Sequence, residues 1–333
     1  MFQFDKTLGH SAKPNSTGAH VYNLNPSATG GFSVYTDSLG YRTTPLKKKL
    51  SGYKEVDLFL GCSWTWGDYV VAEKTYSFLT ADSIHHNFIN AGAPAYGLAQ
   101  MYQLGEKLIS ENNFHYIFIQ YSPWLSDRAM HINGPTYHGY RPFPYFYKTG
   151  TTFKLQEPLY STSIYKLNGS EFRENERSYL EKLLFFFKVG ISLEFIDYYK
   201  YIFSSALVKI GVYPEPTTDT SGLEDFVYNQ LIELGVKKNA QPVVVKMGFN
   251  LEDYNNPAFL TKLDHLKKNA WVVEVDSLLY KNINYNKSNY EKAYAIWHVN
   301  GKDSLLIDGH LNETAQKIIS SRILETIKIN STN

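Results

Sequence analysis

The sequence predicts an α/β domain built on a parallel sheet, and three features carry that expectation. An apolar run, Val56–Leu60, stops at Gly61 and exposes Ser63 two positions later. Two more strand-like runs, Asn87–Gly92 and His115–Tyr121, follow, each separated from the one before by a helical pattern. The joins are short, and strand–helix units joined this way need right-handed crossovers between parallel neighbours.

Residues 1–50 are polar and rich in Gly, Ser, Thr and Asn, which predicts an irregular lead-in wrapping the domain, with one short strand at Phe32–Tyr35. Val56–Gly61 is the first strand. A helix is expected from about Tyr69 to Asp82, with Val70, Val71, Tyr76, Phe78 and Leu79 as its apolar positions. A second helix runs from about Tyr96 to Glu111, ahead of the third strand. The alternation then breaks. Residues 123–222 read as one large insertion, with a proline- and aromatic-rich loop at Pro135–Tyr147 and a helical stretch from about Asn175 to Lys209. A segment this long inside a compact domain points to a lid or a binding wall. The rhythm resumes with a helix at Leu223–Leu234, a strand at Pro242–Gly248, a helix at Pro257–Lys268, a strand at Trp271–Val275 and a final helix at Glu313–Ile327. One domain, 51–122 with 223–333, interrupted by 123–222, is the economical organisation.

Composition narrows the function. With 333 residues, 43% hydrophobic and 20% charged, the chain can bury a proper core. A net charge of +1 gives no reason to expect nucleic acid or an anionic membrane surface as a partner. The single cysteine, Cys62, excludes an intrachain disulfide. No leader pattern opens the chain and no long uncharged apolar stretch occurs, so a cytoplasmic protein without a membrane span is expected. No histidine or cysteine spacing indicates a metal, and no cofactor motif is present. The aromatic fraction, 16%, is high; sugar-stacking surfaces and a compositional bias of the genome both account for it.

The chemistry rests on three residues. A serine needs a base within hydrogen-bond reach, and a histidine base needs a carboxylate to fix its tautomer. Ser63 ends the first strand. Asp308 and His310 lie just before the final helix, with Gly309 between them to permit an unusual turn. In a parallel sheet both places face the carboxyl edge, where ligands bind. Serine early with aspartate and histidine late is also the chain order of an α/β serine hydrolase.

Gly61-Cys62-Ser63-Trp64-Thr65-Trp66-Gly67 resembles the first block of the SGNH (GDSL-type) hydrolases. Asn90-Ala91-Gly92-Ala93-Pro94-Ala95-Tyr96-Gly97 is similar to their second block, and Asp308-Gly309-His310-Leu311-Asn312 to their last. The likeness covers about 37–122 and 240–328 and leaves the insertion out. It implies a three-layer α/β/α, flavodoxin-like sheet, with Ser63 as nucleophile, His310 as base, Asp308 as its orienting acid and the N–H groups of Ser63 and Gly92 in the oxyanion hole. Two departures stand out. Cys62 replaces the aspartate before the nucleophile, where a buried cysteine pointing away from Ser63 is expected. The third-block asparagine is missing from Ile119-Gln120-Tyr121-Ser122-Pro123-Trp124-Leu125-Ser126, which leaves Ser122, Trp124, Ser126 or Gln120 as the third donor. Trp64, Tyr140, Tyr145 and His298 are candidates to line the substrate pocket. The implied reaction is ester hydrolysis through an acyl-enzyme, on an O-acetylated carbohydrate or another small ester. Transfer of the acyl group to a glycan hydroxyl would use the same residues, and a non-catalytic glycan-binding module is the reading of another class. Oligomeric state is not legible.

Overall fold

A computed structural model describes residues 2–25, 28–46, 52–136, 139–160, 203–256, 264–300 and 303–332. The chain opens with a hairpin, β1 (Phe2–Asp5) and β2 (Gly9–Ala12), followed by β3 (Thr17–Asn25), β4 (Ala28–Thr36) and β5 (Arg42–Thr43). Then come β6 (Val56–Leu60), α1 (Ser63–Trp66), α2 (Tyr76–Ser83), β7 (Asn87–Asn90), α3 (Leu98–Glu111) and β8 (Tyr116–Tyr121). Beyond β8 lie α4 (Pro123–Arg128) and two hairpins, β9 (Asn133–Thr136) with β10 (Gly139–Pro142) and β11 (Tyr145–Thr149) with β12 (Thr152–Gln156). The chain ends with α5 (Thr220–Lys237), β13 (Gln241–Lys246), β14 (Trp271–Glu274), α6 (Asp276–Asn282), α7 (Tyr290–Tyr294), β15 (Ile296–Asn300), β16 (Asp303–Asp308) and α8 (Glu313–Ser331).

The main sheet has the order β14-β13-β8-β6-β7-β5-β4-β3. From β14 to β7 every pairing is parallel. Taken in chain order those five strands read 2-1-3-4-5 across the sheet, the flavodoxin-like order, with a topological switch point next to β6. Helices α3 and α5 cover one face, α2 and α8 the other. The fold is therefore a three-layer α/β/α sheet. Its central strands are buried on both sides, so their side chains alternate between two cores instead of between core and water. Leu58, Leu60, Ile117, Ile119 and Val244 enter the core under α3 and α5. Phe59, Phe118, Val243 and Val245 enter the one under α2 and α8, where Phe59 and Phe118 stack at 4.4 Å.

Three expectations are corrected. The lead-in is not irregular: β3, β4 and β5 extend the sheet by antiparallel pairing, and Arg42 of β5 pairs with Asn90 of β7. The helix expected from Tyr69 starts at Tyr76, because Tyr69 has a left-handed φ of +65° and the Thr75 side chain caps the helix by accepting from Phe78 N. The aromatic loop of the insertion is mostly two hairpins. Phe143, Tyr145 and Phe146 are at most 2% exposed, and Phe146 packs edge-on against Tyr102 of α3 and Phe226 of α5. Tyr145 donates its hydroxyl to Pro214 O at 2.9 Å. It is a packing residue, not a pocket wall. Tyr137, His138, the helical stretch up to residue 202 and residues 257–263 of the expected helix lie outside the described residues; 203–209 are helical. No described helix is long and apolar enough to cross a membrane.

Tyr145→Ala should therefore destabilise the protein by about 3–5 kcal/mol in urea unfolding, and Tyr145→Phe by about 1 kcal/mol. Both should leave the KM for small esters unchanged; a changed KM at unchanged stability would restore the wall.

Candidate active site

β6 ends in a change of direction that only small groups permit. Cys62 is extended and Ser63 begins a single helical turn, which closes at Gly67 with φ +80°. The second-block loop presses against this turn: a Cβ on Gly92 would lie within 2.9 Å of Thr65, Trp66 N and Cys62 O. The backbone groups freed where the strand stops need partners, and they find them in Gln120 of β8. Its Oε1 accepts from Cys62 N at 3.0 Å and Thr65 Oγ1 at 2.8 Å. Asn90 ties the other side, donating to Thr65 O at 2.8 Å and Ser77 Oγ at 3.0 Å.

Ser63, His310 and Asp308 come together at the carboxyl edge. His310 Nε2 lies 2.8 Å from Ser63 Oγ. Its Nδ1 is hydrogen-bonded to Asp308 Oδ1, which also accepts from His310 N at 2.9 Å. Burial raises the Asp308 carboxyl, but the hydrogen bonds and charge of His310, with help from Tyr69, outweigh it and hold the group below the ordinary carboxylate range. Asp308 ends β16, an antiparallel hairpin strand that periodicity did not reveal. The base loop is fixed by Asn312, which caps α8 through Ala315 N at 3.0 Å and donates to Ala293 O and Ala295 O. Gln316 bridges α8 to the other elements, accepting from Tyr76 N at 2.8 Å and donating to Trp64 O at 3.4 Å. Gly309 has no positive φ, and a Cβ there would meet nothing within 4 Å, so the turn does not depend on glycine.

The remaining candidates divide. Ser63 N heads a helical turn, where it has no intrahelical acceptor. Gly92 N donates to Asn90 Oδ1 at 3.1 Å, so its N–H is already engaged. Ser122 is committed elsewhere, donating to Met247 O at 2.7 Å and accepting from Gln120 Nε2. Ser126 donates to Glu224 Oε1 at 2.7 Å. Neither serine is available as the third donor, and Gln120 serves the turn. Trp124 is different: its indole N–H points to Cys62 Sγ at 3.4 Å, a weak acceptor 3.9 Å from Ser63 Oγ. Cys62 thus lies beside Ser63 instead of pointing away, buried with donors from Gln120 and Trp124 around its sulfur. Trp64 is half-buried and meets Trp124 edge to face at 4.9 Å. Tyr140 is in β10 and His298 in β15, and the side chains of both lie outside the described residues. No cluster able to hold a metal occurs among the described residues.

Sequence reasoning missed Arg42, Asp68 and Tyr69. Tyr69 lies 5.6 Å from the His310 ring. Its left-handed backbone costs roughly 1–3 kcal/mol, the kind of strain found at functional sites. A polar Gln120 ending the apolar run Ile117–Ile119 was the one available signal for the support of the turn.

No family model and no curated protein matches this chain. Solved structures do. SGNH and G-D-S-L hydrolases are among them. A protein assigned to the G-D-S-L lipolytic family from Desulfitobacterium hafniense is 9% identical, covering 82% of this chain and 99% of its own at a TM-score of 0.40. One assigned to the SGNH hydrolases from Slackia heliotrinireducens is 7% identical, covering 82% and 98% at 0.37. A variant of the acetyl xylan esterase Axe2 from Geobacillus stearothermophilus is 10% identical, covering 83% and 95% at 0.38. At this distance the likeness assigns no residue a role, and the weight rests on the site's own geometry.

Gln120→Ala strands the buried Cys62 N–H, while the Thr65 hydroxyl keeps Tyr76 Oη at 2.8 Å, and should lower stability by about 1–3 kcal/mol. Gly309→Ala should change unfolding free energy by less than about 0.5 kcal/mol. The opposite ranking in thermal or urea unfolding would contradict this account of the turn.

Proposed function

We propose that the protein is a serine ester hydrolase of the SGNH type that works through an acyl-enzyme. The observation that carries this is the continuous hydrogen-bonded chain Asp308–His310–Ser63 at the carboxyl edge of the sheet. Ser63 Oγ attacks the ester carbonyl while His310 Nε2 takes its proton. Asp308 orients the ring and stays ionised, as its lowered pKa requires. The carbonyl oxygen becomes an oxyanion, received by Ser63 N–H. Gly92 N–H joins if it shares itself away from Asn90, and the Trp124 indole supplies the third donor by turning from the weak Cys62 acceptor. The protonated histidine then delivers its proton to the leaving alcohol. Water, activated by the same imidazole, releases the acid and restores Ser63.

A small O-acylated carbohydrate is the proposed substrate class. Trp64, next to the nucleophile in the chain, and Trp124, whose indole reaches the neighbouring Cys62, are half-buried, mutually packed rings, and such rings stack on sugar faces. Transfer to a sugar hydroxyl differs only in the acceptor. The joined triad favours catalysis over a binding module.

Ser63→Ala should abolish turnover of short-chain p-nitrophenyl esters with the Tm within a few degrees of wild type, and Cys62→Ser should stay active. Trp124→Phe should lower kcat by roughly 10²-fold, the usual cost of one oxyanion donor. An active Ser63→Ala enzyme would sink the mechanism, and an unimpaired Trp124→Phe enzyme would remove the indole from it.

A further inference from the structure

We propose that Asp68 is a second carboxylate serving His310, a positioning residue that faces Nε2 and stabilises the imidazolium formed when Ser63 gives up its proton. The proposal rests on the serine-hydrolase reading and deepens it. In the step concerned the Oγ–H bond of Ser63 breaks and the Oγ–C bond to the ester forms. The carbonyl π pair moves to oxygen and the proton moves to Nε2. Asp68 takes no proton; its charge is what acts.

The geometry is specific. Asp68 Oδ2 lies 4.0 Å from His310 Nε2, and the Asp68 side chain is only 3% exposed. That distance is too long for a hydrogen bond, so Nε2 remains with Ser63 at 2.8 Å. It is short enough for charge to act on charge with little screening by water. Asp308 holds one ring nitrogen, and Asp68 supplies a field at the other.

Its position is fixed by the backbone. Asp68 N donates to Ser63 O at 3.0 Å, and Gly67 N to the same oxygen at 2.8 Å. Arg42, itself 3% exposed, donates to Trp66 O, Gly67 O and Val70 O, clamping the segment on both sides of Asp68. Burial pushes the Arg42 guanidinium down to about 10, with Asp68 and then Glu73 acting to raise it, so it stays charged at neutral pH. The Arg42 guanidinium and the Asp68 carboxylate act on each other electrostatically across this buried segment. The lead-in thereby acquires a role: Arg42 holds the segment that carries the carboxylate facing the base.

Around His310 the charged and titratable groups among the described residues include Asp308 and the Tyr69 phenol that bonds it, the Ser63 hydroxyl, the Cys62 thiol 3.9 Å beyond that hydroxyl, and Asp68 with Arg42 and Glu73 nearby. On α8 and the turn facing it, Glu313 and Lys74 pair with each other at 4.0 Å in solvent.

The test is Asp68→Asn. An opposite charge at this range moves a titration by roughly one to three pH units. Removing it should shift the acid limb of the kcat/KM profile to lower pH by about one unit or more and lower kcat on the order of tenfold, with KM nearly unchanged. Asp68→Glu should return part of both effects. The NMR titration of His310 should move in the same direction, and it needs no turnover. An unmoved acid limb and an unmoved NMR titration, with Ser63→Ala still inactive, would overturn the role of Asp68 and leave the serine mechanism intact. An active Ser63→Ala enzyme would instead remove the mechanism. Should Asp68→Asn fail to fold for want of a partner for Arg42, Arg42→Gln combined with Asp68→Asn removes both buried charges together; the acid limb of kcat/KM should again move to lower pH, and an unmoved limb in that folded variant would overturn the proposal.

Discussion

The hydrogen bond from Ser63 Oγ to His310 Nε2 joins positions 247 residues apart, and the surrounding structure serves to hold its two ends in register. A parallel sheet supplies the coarse solution, because every strand delivers its carboxyl end to one edge. The fine solution is polar. Gln120, Asn90 and Thr65 occupy the space under the serine turn, and Gln316 and Asn312 secure the loop that carries the histidine. All but the half-buried Asn312 are buried, so each lost hydrogen bond there leaves a desolvated partner. The site is rigid because its backbone has few other ways to satisfy itself.

The same logic governs the cluster around Cys62. Gln120 supports the turn from the neighbouring strand, and its amide also contacts the Cys62 sulfur at 3.3 Å. The Trp124 indole donates to the same sulfur at 3.4 Å. Two polar residues and a thiol make one connected unit, so substitutions within it should interact and not add.

Much of this was legible in the sequence. Val56–Leu60, His115–Tyr121 and Pro242–Gly248 are apolar runs bounded by turn residues, and each is a strand of the parallel sheet within one or two residues. Ser63, Asp308 and His310 were identified by type and chain order. Other parts could not be read. Half of the residues of β3 and β4 are Gly, Ser, Thr or Asn, and the two strands pair at the sheet's far edge, where this composition dilutes strand character. The β15–β16 hairpin lacks an alternating signal. Tyr145 reads in sequence like any ring of an aromatic loop, and only packing shows that it is buried. Arg42 and Asp68 are 26 residues apart with ordinary neighbours, and nothing local announces that both are buried or that Asp68 faces a histidine.

The central claim is that Ser63, raised by His310, is the nucleophile. It is tested most directly by incubating the protein with a fluorophosphonate and measuring intact mass and the modified peptide. The account predicts a single adduct on Ser63, absent from Ser63→Ala and formed far more slowly by His310→Gln. An adduct that survives in Ser63→Ala, or a folded wild-type protein that takes up no label, would contradict it.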